Sequence, residues 1–161
     1  MERVDAVILL TGHEGFIGKS LRYHQPTVEW VVTDIDVATT EFRVAVDNMS
    51  NIEAIIHCAG NSIVSVCETN PMGAFLSNTL ATASVLESAR GLGVPVIVLE
   101  SDKVYGAQSL KPLTETAPLN GFSPYEKSKV LAAELCDFYR DYYGMNVVSL
   151  RLTNTYGPLD Y

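Results

Sequence analysis

An apolar run from Val4 to Leu10 breaks into Thr11-Gly12-His13-Glu14-Gly15-Phe16-Ile17-Gly18, and that junction constrains the chain more than any other stretch. The run reads as a buried strand, and the pattern from Gly15 to Tyr23 reads as a helix. Three glycines at this spacing have separate tasks. Gly12 permits the tight turn out of the strand, Gly15 lets backbone approach a pyrophosphate, and Gly18 lets the helix pack on the strand. The helix N-terminus then offers unpaired N–H groups to an anion. Asp34 closes the next apolar run, Trp30-Val31-Val32-Thr33, where a carboxylate accepts hydrogen bonds from an adenosine ribose. Gly12, Gly15, Phe16, Ile17, Gly18 and Asp34 are therefore candidate cofactor-binding residues. A structural strand–turn–helix is the alternative.

Strands and helices alternate along the rest of the chain. Strands are expected at Val4–Leu10, Glu29–Asp34, Glu41–Val46, Glu53–His57, Pro95–Glu100 and Asn146–Arg151. Helices are expected at Gly15–Tyr23, Asn70–Leu92 and Ser123–Tyr143. Near-continuous apolar strands joined by helices predict an α/β fold, a doubly wound parallel sheet covered on both faces. The stretch between Asp34 and Glu53 shows no convincing helix, and Pro26 ends the first helix early. The 161 residues, 1–161, read as one domain, 47% hydrophobic and 19% charged. A formal charge of −8 with no basic cluster argues against nucleic acid or an anionic membrane as partner. No signal peptide or membrane span is expected. Cys58, Cys67 and Cys136 are dispersed and odd in number, which fits a reduced cytoplasmic setting. No metal site is expected, because His13, His24 and His57 have no ligand spacing with them.

Tyr125-Glu126-Lys127-Ser128-Lys129 places Tyr125 and Lys129 at i, i+4 on one face of the expected helix. A free phenol, with a pKa near 10, is a poor base at neutral pH, and a neighbouring ammonium stabilises its phenolate. A solvated surface pair is the alternative. Upstream, the strand Pro95–Glu100 runs into Ser101-Asp102-Lys103-Val104-Tyr105-Gly106, at the edge where open α/β sheets bind ligands. Ser101 is placed to orient a substrate hydroxyl toward Tyr125. Turn formation and capping are the competing uses of Ser101 and Asp102.

In order and approximate spacing the chain resembles the extended short-chain dehydrogenase/reductase family, specifically its NAD-dependent nucleotide-sugar epimerases and dehydratases. The resemblance rests on Thr11–Gly18, Asp34, His57-Cys58-Ala59-Gly60, Asn78, Ser101–Gly106, Tyr125–Lys129 and the run from Arg151 to Pro158. It implies a Rossmann fold, NAD as cofactor and a nucleotide-sugar as substrate. It also implies Ser101, Tyr125 and Lys129 as the catalytic triad, with Lys129 on the nicotinamide ribose as well. Ala59 and Gly60 would lie under the pyrophosphate, and Asn154 would touch the nucleotide-sugar. Asp47 sits where family members place an aspartate on adenine, although a turn residue is an equal reading before Asn48 and Ser50.

Within that family the Ser-Asp-Lys-x-Tyr run looks most like the CDP-glucose type of 4,6-dehydratase. Oxidising C4 of a hexose acidifies the C5 proton, so Lys103 as base and Asp102 as acid would serve elimination of water. Both would be idle in an epimerase. A salt link that fixes the loop is the alternative for this pair. The resemblance further implies that a C-terminal substrate domain is absent from this chain. A complementing domain or a homodimer is the expected partner, the dimer pairing the helices Asn70–Leu92 and Ser123–Tyr143 through residues such as Val85, Leu86, Leu131 and Leu135. A non-catalytic NAD-binding module is the reading from another class.

Overall fold

The computed structural model describes residues 6–107 and 112–158, so Val4 and Asp5 of the expected first strand lie outside the described residues. The strands are β1 (Val7–Thr11), β2 (Glu29–Val32), β3 (Ala54–His57), β4 (Val96–Ser101) and β5 (Val147–Leu152). All neighbours pair in parallel in the order β2–β1–β3–β4–β5. The chain leaves β1 toward one edge and returns at β3 on its other side, so the switch point of the topology lies between β1 and β3. A doubly wound sheet opens its binding crevice there, at the C-terminal ends of the strands.

Helix α1 (Phe16–His24) stops at Gln25, one residue before Pro26, whose ring cannot continue a helix. Helix α6 (Pro124–Tyr143) is started by a reciprocal cap. Ser123 Oγ accepts from the Glu126 N–H at 3.3 Å, and the Glu126 carboxylate accepts from the Ser123 N–H at 3.0 Å. Gly144, at φ +65°, ends it in the left-handed conformation that glycine tolerates best. The core joins Leu9, Ile55, Val96 and Val98 of the sheet to Phe42, Val46, Val85 and Leu86 of the helices.

The expected strand Glu41–Val46 is instead helix α2 (Thr40–Asp47), which corrects both that strand and the expected absence of a helix between Asp34 and Glu53. Thr39 caps it, its hydroxyl accepting from the Phe42 N–H at 3.3 Å. Phe42 and Val46 are fully buried while Val44 is 56% exposed, which is an i, i+4 pattern and not an alternation. With α2 in place, that side of the sheet is covered.

The expected helix Asn70–Leu92 is more finely divided. A short α3 (Val64–Thr69) precedes α4 (Pro71–Ala74), a π-helical segment (Phe75–Leu80) and α5 (Ala81–Leu92). Val85 and Leu86 are wholly buried in the sheet-facing core, so neither is on a surface that pairs copies of the chain. Leu131 and Leu135 do line an open apolar groove, with Phe75, Leu76 and Leu80 opposite. Among the described residues no helix is long and apolar enough to cross a membrane.

Candidate active site

Three strand ends, the start of α1 and the first turns of α6 converge on one cleft of about 350 Å³ at the C-terminal edge of the sheet. Its lining draws Ile17 from α1, Ala59 and Gly60 from the end of β3, Ser101 and Lys103 from the end of β4, Tyr125 and Lys129 from α6, and Asn154 beyond β5. Eight residues singled out from the sequence are thus brought together.

The glycine turn bears its expected division of labour. Gly12 has φ +71°, and a Cβ there would lie 2.5 Å from the Ala59 nitrogen, so this position requires glycine on both counts. A Cβ on Gly18 would strike the Gly12 carbonyl at 2.3 Å, which is the close helix–strand packing expected of it. Gly15 is different. Its Cβ position meets only the Gly12 carbonyl, at 3.4 Å, and it is the N-cap of α1 with no side chain capping the helix. The helix therefore presents open N–H groups to a space into which backbone alone projects, a fit for a pyrophosphate. Phe16 turns away from the cleft, its ring 3.3 Å from the Cβ position of Gly157. Asp34, just past β2, is almost fully exposed and lies 3.5 Å from His13 Nε2, which also approaches Glu14 at 3.4 Å. Its carboxylate is free to accept from a ribose.

Asp47 is not brought to this site. It ends α2, which runs antiparallel to the strands, so it reaches the opposite edge of the sheet. There it shares a recess with Arg43, Glu87 and Arg90. The resemblance implied that it holds adenine, but helix α2 carries it away from the cleft.

Below the cleft, the π-helical segment turns Asn78 inward. Its Oδ1 accepts from the Asn61 N–H at 2.8 Å, while Nδ2 donates to the Asn61 carbonyl at 3.1 Å and to Ser128 Oγ at 2.9 Å. A π-turn carries one extra residue and recurs at functional sites because it re-aims a side chain out of helical register. Asn78 so ties the loop after Gly60 to α6, one residue from Lys129. Its type was legible, but the π geometry has no composition signal.

Burial governs the reactive side chains. It pushes the Tyr125 phenol above its ordinary value, Ser101 beside it pulls the other way, and nearby Cys67 and Asp102 raise it further. Burial pushes Lys129 down, and Glu100 is the first of the groups opposing that shift. The Lys129 ammonium donates to the Leu99 carbonyl at 2.9 Å, so the direct support of the phenol expected from the i, i+4 spacing is not the arrangement found. Ser101 Oγ accepts from the Lys103 N–H at 3.2 Å and reaches the Asp102 carboxylate at 3.4 Å. Lys103 faces the cleft. Asp102 starts a 3₁₀ turn (Asp102–Tyr105) behind Ser101 and is not part of the lining.

Glu100 and Arg151 were quoted within motifs but not singled out. Glu100 occupies the inward parity of β4 after Val96 and Val98, and its Oε2 accepts from Arg151 Nε at 2.8 Å. A charge at an inward position of an apolar strand is the signal that would have found it.

His57, at the end of β3, bonds Thr11 through Nδ1 at 2.7 Å, and burial together with the Lys129 charge pushes it down to about 3. The unfolded chain therefore takes up this proton first, near pH 6.5. The stability it withholds from the protonated state is fully present above pH 6.5 and is lost as the pH falls toward 3. From this residue alone, unfolding free energy should drop by about 2 kcal/mol between pH 7 and pH 5. Urea titrations at the two values check it: His57→Gln should flatten the difference, and an unchanged difference would refute the assignment.

The model of the NAD dependent epimerase/dehydratase family matches residues 8–161. A putative UDP-glucose 4-epimerase of Methanocaldococcus jannaschii is 30% identical over 94% of this chain and 56% of its own length. A dTDP-glucose 4,6-dehydratase of Mycobacterium tuberculosis is 27% identical over 94% of this chain and 54% of its own. The chain thus spans about half the length of the curated relatives it matches. Among solved structures, the UDP-glucose 4-epimerase of Thermus thermophilus, in complex with NAD, superposes with a TM-score of 0.87 at 25% identity, over 96% of this chain and 57% of that one. The glycine turn, the convergent cleft and this match over nearly every residue agree, and the chain belongs to the NAD-dependent epimerase/dehydratase family.

Proposed function

We propose that this chain binds NAD and contributes the catalytic side chains for oxidation at C4 of a nucleotide-sugar, followed by 4,6-dehydration. The observation that carries the reading is the single cleft in which Ser101, Lys103, Tyr125 and Lys129 stand together with Ala59–Gly60 and the open end of α1. Bound NAD would supply the hydride acceptor and donor. Gly12, Gly15, Ile17, Ala59 and Gly60 would cradle its pyrophosphate side, and the Asp34 carboxylate would take the adenosine ribose hydroxyls. An exposed carboxylate there repels a 2′-phosphate, which favours NAD over NADP.

Once the Lys129 ammonium moves beside it, the Tyr125 phenol loses its proton to solvent. The phenolate Oη then accepts the substrate hydroxyl proton, and Ser101 Oγ orients that hydroxyl. Lys129 would hold the nicotinamide ribose, as the resemblance implies, and stabilises the phenolate after moving from the Leu99 carbonyl. The cleft-facing Lys103 removes the acidified C5 proton, and Asp102, reached through Ser101, assists departure of the C6 hydroxyl. The position of Asp102 behind Ser101 also suits a 4-epimerase, where it would only brace the turn, and the M. jannaschii relative bears that name.

Calorimetry should give at least about tenfold tighter binding of NAD than of NADP. Equal affinities would remove Asp34 from the ribose. With NAD, a nucleotide-sugar and the carboxyl-terminal half of a relative supplied in deuterated water, a dehydratase incorporates deuterium at C5. An epimerase inverts C4 and leaves C5 protonated, and binding of NAD without either change marks a non-catalytic module.

A further inference from the structure

Glu100 is an expensive residue where it stands. Its side chain is fully buried on the face of β4 that otherwise carries Val96 and Val98. One oxygen, Oε2, is held by Arg151, its register partner on β5. The other, Oε1, is buried with no hydrogen-bond partner among the described residues, although Glu100 is also part of the cleft wall. A buried carboxylate oxygen left unmatched is costly, so the position calls for a compensating role. Arg151 does not exhaust that role, because its Nη1 serves elsewhere, donating to Tyr105 Oη at 3.0 Å and to the Glu115 carbonyl at 2.8 Å.

Lys129 lines the same cleft, and its ammonium rests on the Leu99 carbonyl, one residue along β4 from Glu100. We propose that Glu100 is a positioning residue of the active site, the fixed counter-charge that holds the Lys129 ammonium in the cleft wall. The assignment rests on the reading of the cleft given above, in which Lys129 serves the cofactor and the phenolate. It goes beyond that reading in naming what keeps a buried lysine charged.

The groups facing Lys129 are His57 and Cys58 from β3 and its end, Glu100 from β4, and Cys136 and Tyr125 from its own helix, with Arg151 of β5 behind Glu100. Burial raises Cys58 and Cys136 to about 12 and lowers His57 to about 3, so these three are neutral near pH 7. The Tyr125 phenol, raised by burial, is protonated. Glu100 is the one anion in that set. An uncompensated ammonium at this depth would give up its proton.

The test replaces Glu100 by Gln, which keeps the shape and an acceptor for Arg151 but removes the charge. Isotope-edited NMR of the lysine Cε resonances, with Lys129 identified by its loss in Lys129→Arg, reads the titration of this one side chain in the chain alone. The Lys129 midpoint should move to lower pH in Glu100→Gln while the exposed lysines stay in place, and Glu100→Asp should return it toward the parent value. NAD affinity at neutral pH should fall about three- to tenfold in Glu100→Gln. Should that variant fail to fold, Glu100→Gln with Arg151→Gln leaves neither charge of the pair. Loss of Arg151 alone would raise the Lys129 midpoint, so a net fall still identifies Glu100. An unmoved midpoint in Glu100→Gln, or in the double variant relative to Arg151→Gln alone, overturns the proposal. If the midpoint falls but neither parent nor variant binds NAD, the counter-charge stands and the functional reading fails.

Discussion

Tyr125→Phe should lower turnover about 10²–10⁴-fold, a loss of about 3–5.5 kcal/mol in transition-state stabilisation. The ring is 7% exposed and packs with Cys67 and Ala74, so phenylalanine keeps the packing and removes only the hydroxyl that takes the proton. Affinity for NAD should stay within about a factor of three, because the proposed cofactor contacts come from the glycine turn, Ala59–Gly60 and Asp34. Since the chain spans about half of its relatives' length, turnover is to be measured with the carboxyl-terminal half of a relative supplied. Calorimetry on the chain alone reads the cofactor. A variant that binds NAD and turns over at the parental rate would transfer the base to another group.

Phe42→Ala should destabilise the fold by about 3–5 kcal/mol, a large share of the total stability of a domain this size. The ring is completely buried, among the largest side chains of the core, and joins α2 to the sheet. Val44→Ala is the matched comparison. It removes apolar atoms two residues away, but from a side chain 56% exposed, and should change stability by about 0.5 kcal/mol or less. Urea unfolding of the two variants separates them directly. Comparable losses at both positions would mean that 42 and 44 share a buried face, as they would in a strand.

That pair shows why part of the fold escaped the sequence. Phe42, Val44 and Val46 satisfy a period of two, and Phe42 with Val46 satisfies i, i+4 equally well. Over so short a stretch, periodicity does not decide between them. The deciding feature is Thr39 as a cap before Glu41 in the first turn, a start signal for a helix that was present but unused. Asp47, put on adenine by the resemblance, is carried by the same helix to the other end of the sheet. By contrast, β1 with its glycine turn, β4 with Ser101, and α6 with Tyr125 and Lys129 were legible. In each, long apolar patterning coincides with residues whose chemistry is constrained: glycine where φ is positive, and the reciprocal Ser123–Glu126 cap before the Tyr125–Lys129 face. The cleft could be anticipated from strand order, since every named residue falls after a strand or on one helix face. Glu100 could not be weighted correctly without knowing which parity of β4 faces inward. The hydrogen-bond choice of Lys129 depends on depth, which spacing does not encode.

The contact between Gly12 and Ala59 also bears on the order in which the molecule assembles. The two ends of this crossing are joined by Thr11 and His57, 46 residues apart, with β2 and α2 formed in between. The turn that looks most local in the sequence is held in shape by a distant strand, and closing such a loop must precede the contacts that repay it. An excised peptide bearing the glycines would have no reason to adopt the anion-cradling shape. In this architecture the binding turn is a late product of sheet assembly, so an unfolded or partly folded chain offers the cofactor nothing to hold. Bound cofactor therefore draws the population toward the completed sheet and marks it as finished.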